Sequence, residues 1–212
     1  MKKLALAGIV SALISSGAFA ADNGPFVEAA IGASKFNVDN SSGWNMSKND
    51  TSWNILGGYM VNKYVGLEAG YLDLGKVSGS ISGNLSGNLY GKPLVVNGAV
   101  NASGTAKGWL LGVRGVLPIN EQFSLNARAG VYLWNSDLNA SVSAAGTWGG
   151  SAIAANGSAS KSYTGSDAYY GIGAKYNVNK QVAIGLGYAK YKLGGDLSTN
   201  VDNYDLNVSY SF

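Results

Sequence analysis

The sequence predicts an all-β fold, an eight-stranded antiparallel up-and-down transmembrane β-barrel. Three observations carry that prediction: an alternating carboxyl-terminal strand, an export leader, and connections that alternate between short and long. In the last nine residues Tyr204, Leu206, Val208, Tyr210 and Phe212 alternate with Asp205, Asn207, Ser209 and Ser211. A period of two puts each set on its own face of a strand. Lipid outside and a polar lumen inside require that pairing of faces.

The amino terminus supplies the leader. Met1-Lys2-Lys3 is a basic start, Leu4 to Ile14 is apolar apart from Gly8 and Ser11, and Ala18-Phe19-Ala20 forms a small-residue cleavage site. The apolar run falls well short of the roughly 20 residues needed to cross a bilayer as a helix. Residues 1–20 therefore read as a cleaved signal peptide and 21–212 as the mature barrel. No later apolar run is long enough to stop transfer, so the exported chain crosses a membrane as strands or not at all.

Eight segments follow the barrel pattern in order. Val27, Ala29, Ile31 and Ala33 oppose Glu28, Ala30 and Ser34. Trp53, Ile55 and Tyr59 oppose Asn54 and Gly58. Val65, Leu67, Ala69 and Tyr71 oppose Gly66, Glu68 and Gly70. Trp109, Leu111 and Val113 oppose Gly112 and Arg114, with Leu110 an apolar exception on the inner face. Phe123, Leu125, Ala127, Ala129, Val131 and Leu133 oppose Ser124, Asn126, Arg128 and Gly130. Tyr170, Ile172, Ala174 and Tyr176 oppose Tyr169, Gly171, Gly173 and Lys175. Val182, Ile184, Leu186 and Tyr188 oppose Ala183, Gly185, Gly187 and Ala189. The terminal strand is the eighth.

The connections fix orientation. Asn62-Lys63, Pro118 to Glu121 and Asn177 to Lys180 are tight polar turns. Long segments near 37–51, 76–107, 137–161 and 193–202 lie between them and read as extracellular loops. Short periplasmic turns with long outer loops are the rule for outer-membrane barrels. The second and third long segments alternate weakly between small apolar residues and Ser, Gly or Asn. That pattern suggests hairpins continuing beyond the membrane, with a flexible linker as the alternative. The first of them also leaves room for a ten-stranded barrel. A soluble barrel would invert the faces, with apolar residues inside.

Composition agrees. The chain has 31 Gly, 3 Pro, no Cys and no His, and 13% of its residues are charged. A mean hydropathy near zero is too polar for a helical membrane protein, and charge this sparse does not suit disorder. Formal charge is +3, falling to about +1 once Lys2 and Lys3 leave with the signal. That balance points away from nucleic acid.

Aromatic residues on the outward face form two girdles. Trp53, Tyr71, Trp109 and Tyr188 lie toward the outer rim; Tyr59, Tyr64, Phe123, Tyr176, Tyr210 and Phe212 lie toward the periplasmic rim. Trp44, Tyr90, Trp148 and Tyr163 fall in the long outer segments, where they are candidate contacts to another cell or to lipopolysaccharide.

The candidate functional residues are the inward charges Glu28, Glu68, Arg114, Arg128, Lys175 and Asp205. All six share the lumen parity and sit a few residues from the periplasmic end of their strands, in one layer roughly 10 Å deep. Three carboxylates and three cations can pair, and an unpaired ion there is costly. They form either a polar core that seals the barrel or a switchable plug for ions and small solutes. Catalysis has little to work with. Imidazole-dependent hydrolysis and thiolate or His/Cys metal chemistry have no residues here. Asp167 near Ser162 or Lys161 is the remaining rim pair. No cofactor and no metal are expected.

Asn62-Lys63-Tyr64-Val65-Gly66-Leu67-Glu68-Ala69-Gly70-Tyr71, followed by Leu74-Gly75, resembles the third strand of OmpA-type outer-membrane transmembrane domains. Gly108 to Ile119 resembles the fourth strand and its turn, Phe123 to Asp137 the fifth, Gly171 to Tyr188 the sixth and seventh, and Asp202 to Phe212 the eighth. The resemblance implies a monomeric eight-stranded barrel in the outer membrane of a Gram-negative bacterium, surrounded by lipid and lipopolysaccharide. It implies that the barrel assembly machinery reads Tyr210 and Phe212 as the closing-strand signal. Many members carry a periplasmic peptidoglycan-binding domain after the barrel; with Phe212 as the last residue, that tethering role is not expected here. Lys175 stands where the family typically has a carboxylate, and Gly185 and Gly187 where it has charged residues, so the family's gate arrangement does not transfer.

The functional expectation is a structural, surface-interacting barrel that supports envelope integrity and displays its loops to ligands. The alternative is a narrow porin-like pore. Amino-terminal sequencing of the membrane-inserted protein should begin at Ala21; recovery of Met1 on that form contradicts the signal assignment.

Overall fold

The computed structural model describes residues 23–37, 45–195 and 198–212. The signal segment and Trp44 lie outside the described residues. The strands are β1 Gly24–Asn37, β2 Asn49–Met60, β3 Val65–Leu89, β4 Lys92–Pro118, β5 Phe123–Trp148, β6 Ser151–Asn177, β7 Val182–Leu193 and β8 Thr199–Ser211. A three-residue outer extension of β2, Asn45–Ser47, pairs with Ser78–Ser80 of β3. Each strand pairs antiparallel with its sequence neighbour, and β1 pairs with β8 from Phe26 opposite Ser211 to Asn37 opposite Asn200. The sheet closes on itself with eight strands, not ten. Closure removes the free edges a bilayer would not tolerate.

The predicted parity holds around the ring. Glu28, Asn54, Glu68, Arg114, Asn126, Arg128, Asn207 and Ser209 are buried in the lumen, while Ile31, Ile55, Leu67, Leu111, Ile172, Leu186 and Leu206 are exposed outside. The girdle aromatics touch along the outer wall. Trp53 meets Tyr71, Tyr71 meets Trp109, Phe123 meets Tyr176 and Tyr188 meets Tyr204. Phe212 packs on Tyr210 and its amide donates to the Pro25 carbonyl, pinning the carboxyl terminus to β1.

All three tight turns expected from the sequence use one device. Asn62 Oδ1 accepts from the amides of Tyr64 and Val65. Asn120 does the same for Gln122 and Phe123, and Asn179 for Gln181 and Val182. A short polar side chain that caps its own turn makes the reversal locally determined.

Beyond the barrel the second and third long segments follow the hairpin reading and not the linker alternative. Segments 76–107 and 137–161 are regular hairpin ladders rather than loops. They turn at Tyr90-Gly91 and Gly149-Gly150, where all four residues have positive φ and glycine fills three of the positions. Strands β3 to β6 thus outrun the other four and carry a four-stranded sheet beyond the barrel. A bulge between Asp73 and Lys76 puts one extra residue in β3. Gly75 sits there at φ +80, and a Cβ would lie 2.6 Å from the Thr51 carbonyl oxygen, so only glycine fits. The extra residue reverses the parity of β3 beyond it, so that Val77 rather than Lys76 continues the lumen-side face.

Depth in the membrane should decide what a new charge costs. Leu206 and Leu85 are similarly exposed, at 55% and 63%, but only Leu206 lies in the lipid belt. Leu206→Arg should cost about 2–4 kcal/mol of unfolding free energy, and Leu85→Arg about 0.5 kcal/mol or less. Urea titration of the barrel refolded into vesicles measures both.

Candidate functional site in the barrel lumen

Alternation aims five of the six predicted charges into one network. Arg114 on β4 and Arg128 on β5 are direct cross-strand partners. Two like charges so placed repel unless an anion lies between them. Glu28, reaching across from β1, is that anion. Its Oε1 accepts from Arg114 Nη2 at 3.0 Å and from Arg128 Nη2 at 2.6 Å, and its Oε2 from Arg114 Nη1 at 2.7 Å. Lys175 on β6 donates to the same Oε2 at 2.6 Å and to Ser209 Oγ at 3.0 Å.

Glu68 on β3 forms the second anchor. It accepts from Arg114 Nε at 2.8 Å and from the Tyr169 hydroxyl at 3.0 Å, and Arg128 Nε lies 3.8 Å away. Two glycines make this reach possible: a Cβ at Gly112 or Gly130 would collide with the Tyr169 ring. Beneath the network the Arg114 guanidinium lies 4.6 Å from the centre of the Phe26 ring. Both glutamates and both arginines are almost fully buried.

Asp205 departs from the expected cluster. It faces the lumen, opposite Gly32 and Gly187, but forms no ion pair with the five. Its carboxylate accepts from Asn207 Nδ2 at 2.9 Å. Glu28 instead lies opposite Ser209, four residues away along β8, which puts Asp205 at a different level.

Above the ions the lumen is apolar, and Leu110, expected as a single apolar exception on the inner face, belongs to a whole layer. Tyr132, Tyr169 and Tyr191 form the centre, with ring centroids 5.4 Å apart for Tyr132–Tyr191 and 5.6 Å for Tyr169–Tyr191. Leu56, Leu72, Leu74 and Leu110 pack around them with no solvent exposure. The signal was present in Tyr132, Trp134 and Tyr191, which share the lumen parity.

The rim residues weighed for catalysis are otherwise engaged. Asp167 accepts from Trp134 Nε1 at 2.8 Å and from the Gly194 amide at 2.7 Å. Ser162 donates to Asp137, not to Asp167. Also at the rim, the Asp202 carboxyl is held below its ordinary range. Partial burial acts to raise it, and is outweighed by hydrogen bonds from Asn37 and Tyr188 and by the Lys190 ammonium.

The model of the OmpA-like transmembrane domain matches residues 20–212. The chain belongs to this family. It is accordingly an outer-membrane β-barrel of the Gram-negative type. Outer membrane protein A of Shigella flexneri is 29% identical over 200 residues, covering 92% of this chain and 44% of the relative. That of Klebsiella pneumoniae is 29% identical over 162 residues, covering 74% of this chain and 40% of the relative. The chain therefore spans less than half the length of these two relatives. Among solved structures, the attachment invasion locus protein Ail of Yersinia pestis matches at 18% identity and TM-score 0.39, covering 89% of this chain and 99% of Ail. Neisserial surface protein A matches at 13% identity and TM-score 0.45, covering 89% and 97%. The matched family is one of outer-membrane transmembrane barrel domains.

Removing the central anion should hurt most. Glu28→Ala leaves three cations facing one carboxylate and should lower unfolding free energy by about 3–5 kcal/mol. Asp205→Asn, outside the network and keeping an acceptor for Asn207, should cost roughly 1 kcal/mol. Equal losses in urea titrations of the two variants would contradict the assigned hub.

Proposed function

We propose that the chain is a sealed, structural barrel that strengthens the envelope and presents its projecting sheet to the cell exterior. The single observation behind this reading is the stack of two filled lumen layers, ions below and tyrosines with leucines above. A conducting path needs continuous water. A zero-exposure Leu110 beside three packed tyrosine rings favours closure over passage. An eight-stranded lumen is also only wide enough for its own side chains. The surrounding lipid and lipopolysaccharide and the assembly machinery's use of Tyr210 and Phe212 belong to the same proposal, as does the monomeric state within one membrane. The porin-like alternative rests on the polar lower layer alone.

Planar-bilayer recording of the refolded protein tests the reading. Wild type should show no steady conductance, whereas Tyr132→Ala combined with Tyr191→Ala should open a measurable path by removing two rings of the upper layer. A large, steady wild-type conductance that these substitutions leave unchanged would reverse the assignment in favour of the pore.

A further inference from the structure

The sheet carried outward by β3 to β6 is amphipathic in a way its composition hides. Along its ladders Ile81 lies opposite Val100, Val100 opposite Val142, and Val96 opposite Leu85. One step along, Asn101 lies opposite Ser80 and Ser141, and Ser141 opposite Ser158. One face is therefore built from Ile, Val, Leu, Ala and Gly; the other is mostly Ser and Asn. The apolar face is the one that continues the lumen wall. A Cβ on Gly104 would meet the Leu138 and Val77 side chains, and Val77 packs against the buried lumen cluster.

Among the described residues no second layer covers this face, and Leu85 and Val142 are exposed. Four strands about 4.8 Å apart and about 13 residues long at about 3.3 Å each give roughly 800 Å². Exposed apolar patches on monomers usually stop at a few hundred Å², and a stable interface takes about 800 Å² from each partner. The face carries no carboxylate. Its lysines stand at the two ends, Lys92 over the Trp148 ring at the tip and Lys161 over Tyr163 at the base. Small residues between the Ile and Val positions leave the relief shallow enough for two such sheets to approach to about 10 Å.

The same geometry sets where a partner must come from. The apolar face looks across its own barrel mouth and away from the lipid. Two upright sheets in one membrane could bring these faces together only if their barrels overlapped. An inverted copy in an opposing membrane meets no such obstacle, because each sheet then extends over the other's mouth.

We propose that the projecting sheet is a homotypic adhesion element, binding apolar face to apolar face with the inverted sheet of a second copy in an apposed outer membrane. The inference rests on the surface-display reading above and names the partner of that surface.

Two populations of phosphatidylcholine vesicles, carrying donor and acceptor dyes and the refolded protein, test it. Mixing protein-bearing with protein-bearing vesicles should raise energy transfer and turbidity at least tenfold over mixing bearing with empty vesicles. Val96→Lys with Val142→Lys should abolish the rise. Asn97→Lys with Ser141→Lys adds the same charge to the other face and should leave it intact. Heat-dependent gel migration reports whether each variant has folded, and Leu85→Lys serves as a second apolar-face probe if the paired variant has not. No tethering by wild type, equal tethering to empty vesicles, or equal effects of the two lysine pairs would overturn the proposal. Retention of a trapped salt gradient in the same vesicles reads the sealed-barrel assignment separately, so the two can fail independently.

Discussion

An eight-stranded barrel has no room for solvent to solve its electrostatics, and the rest of this structure follows from how Glu28 solves them. The register fixes Arg114 and Arg128 side by side on β4 and β5. Neither can turn away, because parity commits both to the lumen. Glu28 reaches between them from the far wall and bonds both, and Lys175 as well. Glu68 then completes the Arg114 guanidinium through Nε and recruits the Tyr169 hydroxyl. That hydroxyl joins the ionic layer to the aromatic one above it. The glycines at 112 and 130 belong to the same solution, since they vacate the volume the Tyr169 ring occupies.

Two consequences bear on function. On the sealed-barrel proposal, the ions and rings that fill successive levels make the barrel a post rather than a conduit. Its outer half then acts as a support for β3 to β6, whose ladders run from membrane wall to hairpin tip with one register shift, at the Gly75 bulge. Displayed structure of this kind, unlike a Gly/Ser linker, is fully paired and sets one apolar and one polar face on opposite sides of the sheet.

Much of this was legible in the chain, and what was not has identifiable causes. Strand parity could be read because period-two alternation is local, and the three turns because Asn62, Asn120 and Asn179 determine them locally. The charged residues were visible too, but their partners were not: nothing near Glu28 in sequence signals that it meets β4, β5 and β6 across the lumen. Asp205 shares their parity and still falls outside the network, because strand stagger separates its level from theirs. The projecting sheet was ambiguous for a different reason. Ser, Gly, Ala and Asn are as common in linkers as in exposed strands, and the single extra residue at Gly75 reverses the face of everything that follows in β3. The aromatic layer was not legible because Tyr132 and Trp134 stand on β5 and Tyr191 on β7, and only barrel closure brings their rings into one cluster.

The account stands most directly on the coupling between Glu28 and Arg114. A double-mutant cycle using Glu28→Gln, Arg114→Met and the combined variant, read by urea unfolding in vesicles, isolates that coupling. The account predicts a favourable interaction of about 1–3 kcal/mol, with the double variant more stable than the sum of single losses implies. Strictly additive losses would mean that the two side chains do not depend on each other, and would contradict the lumen network as the basis of the fold.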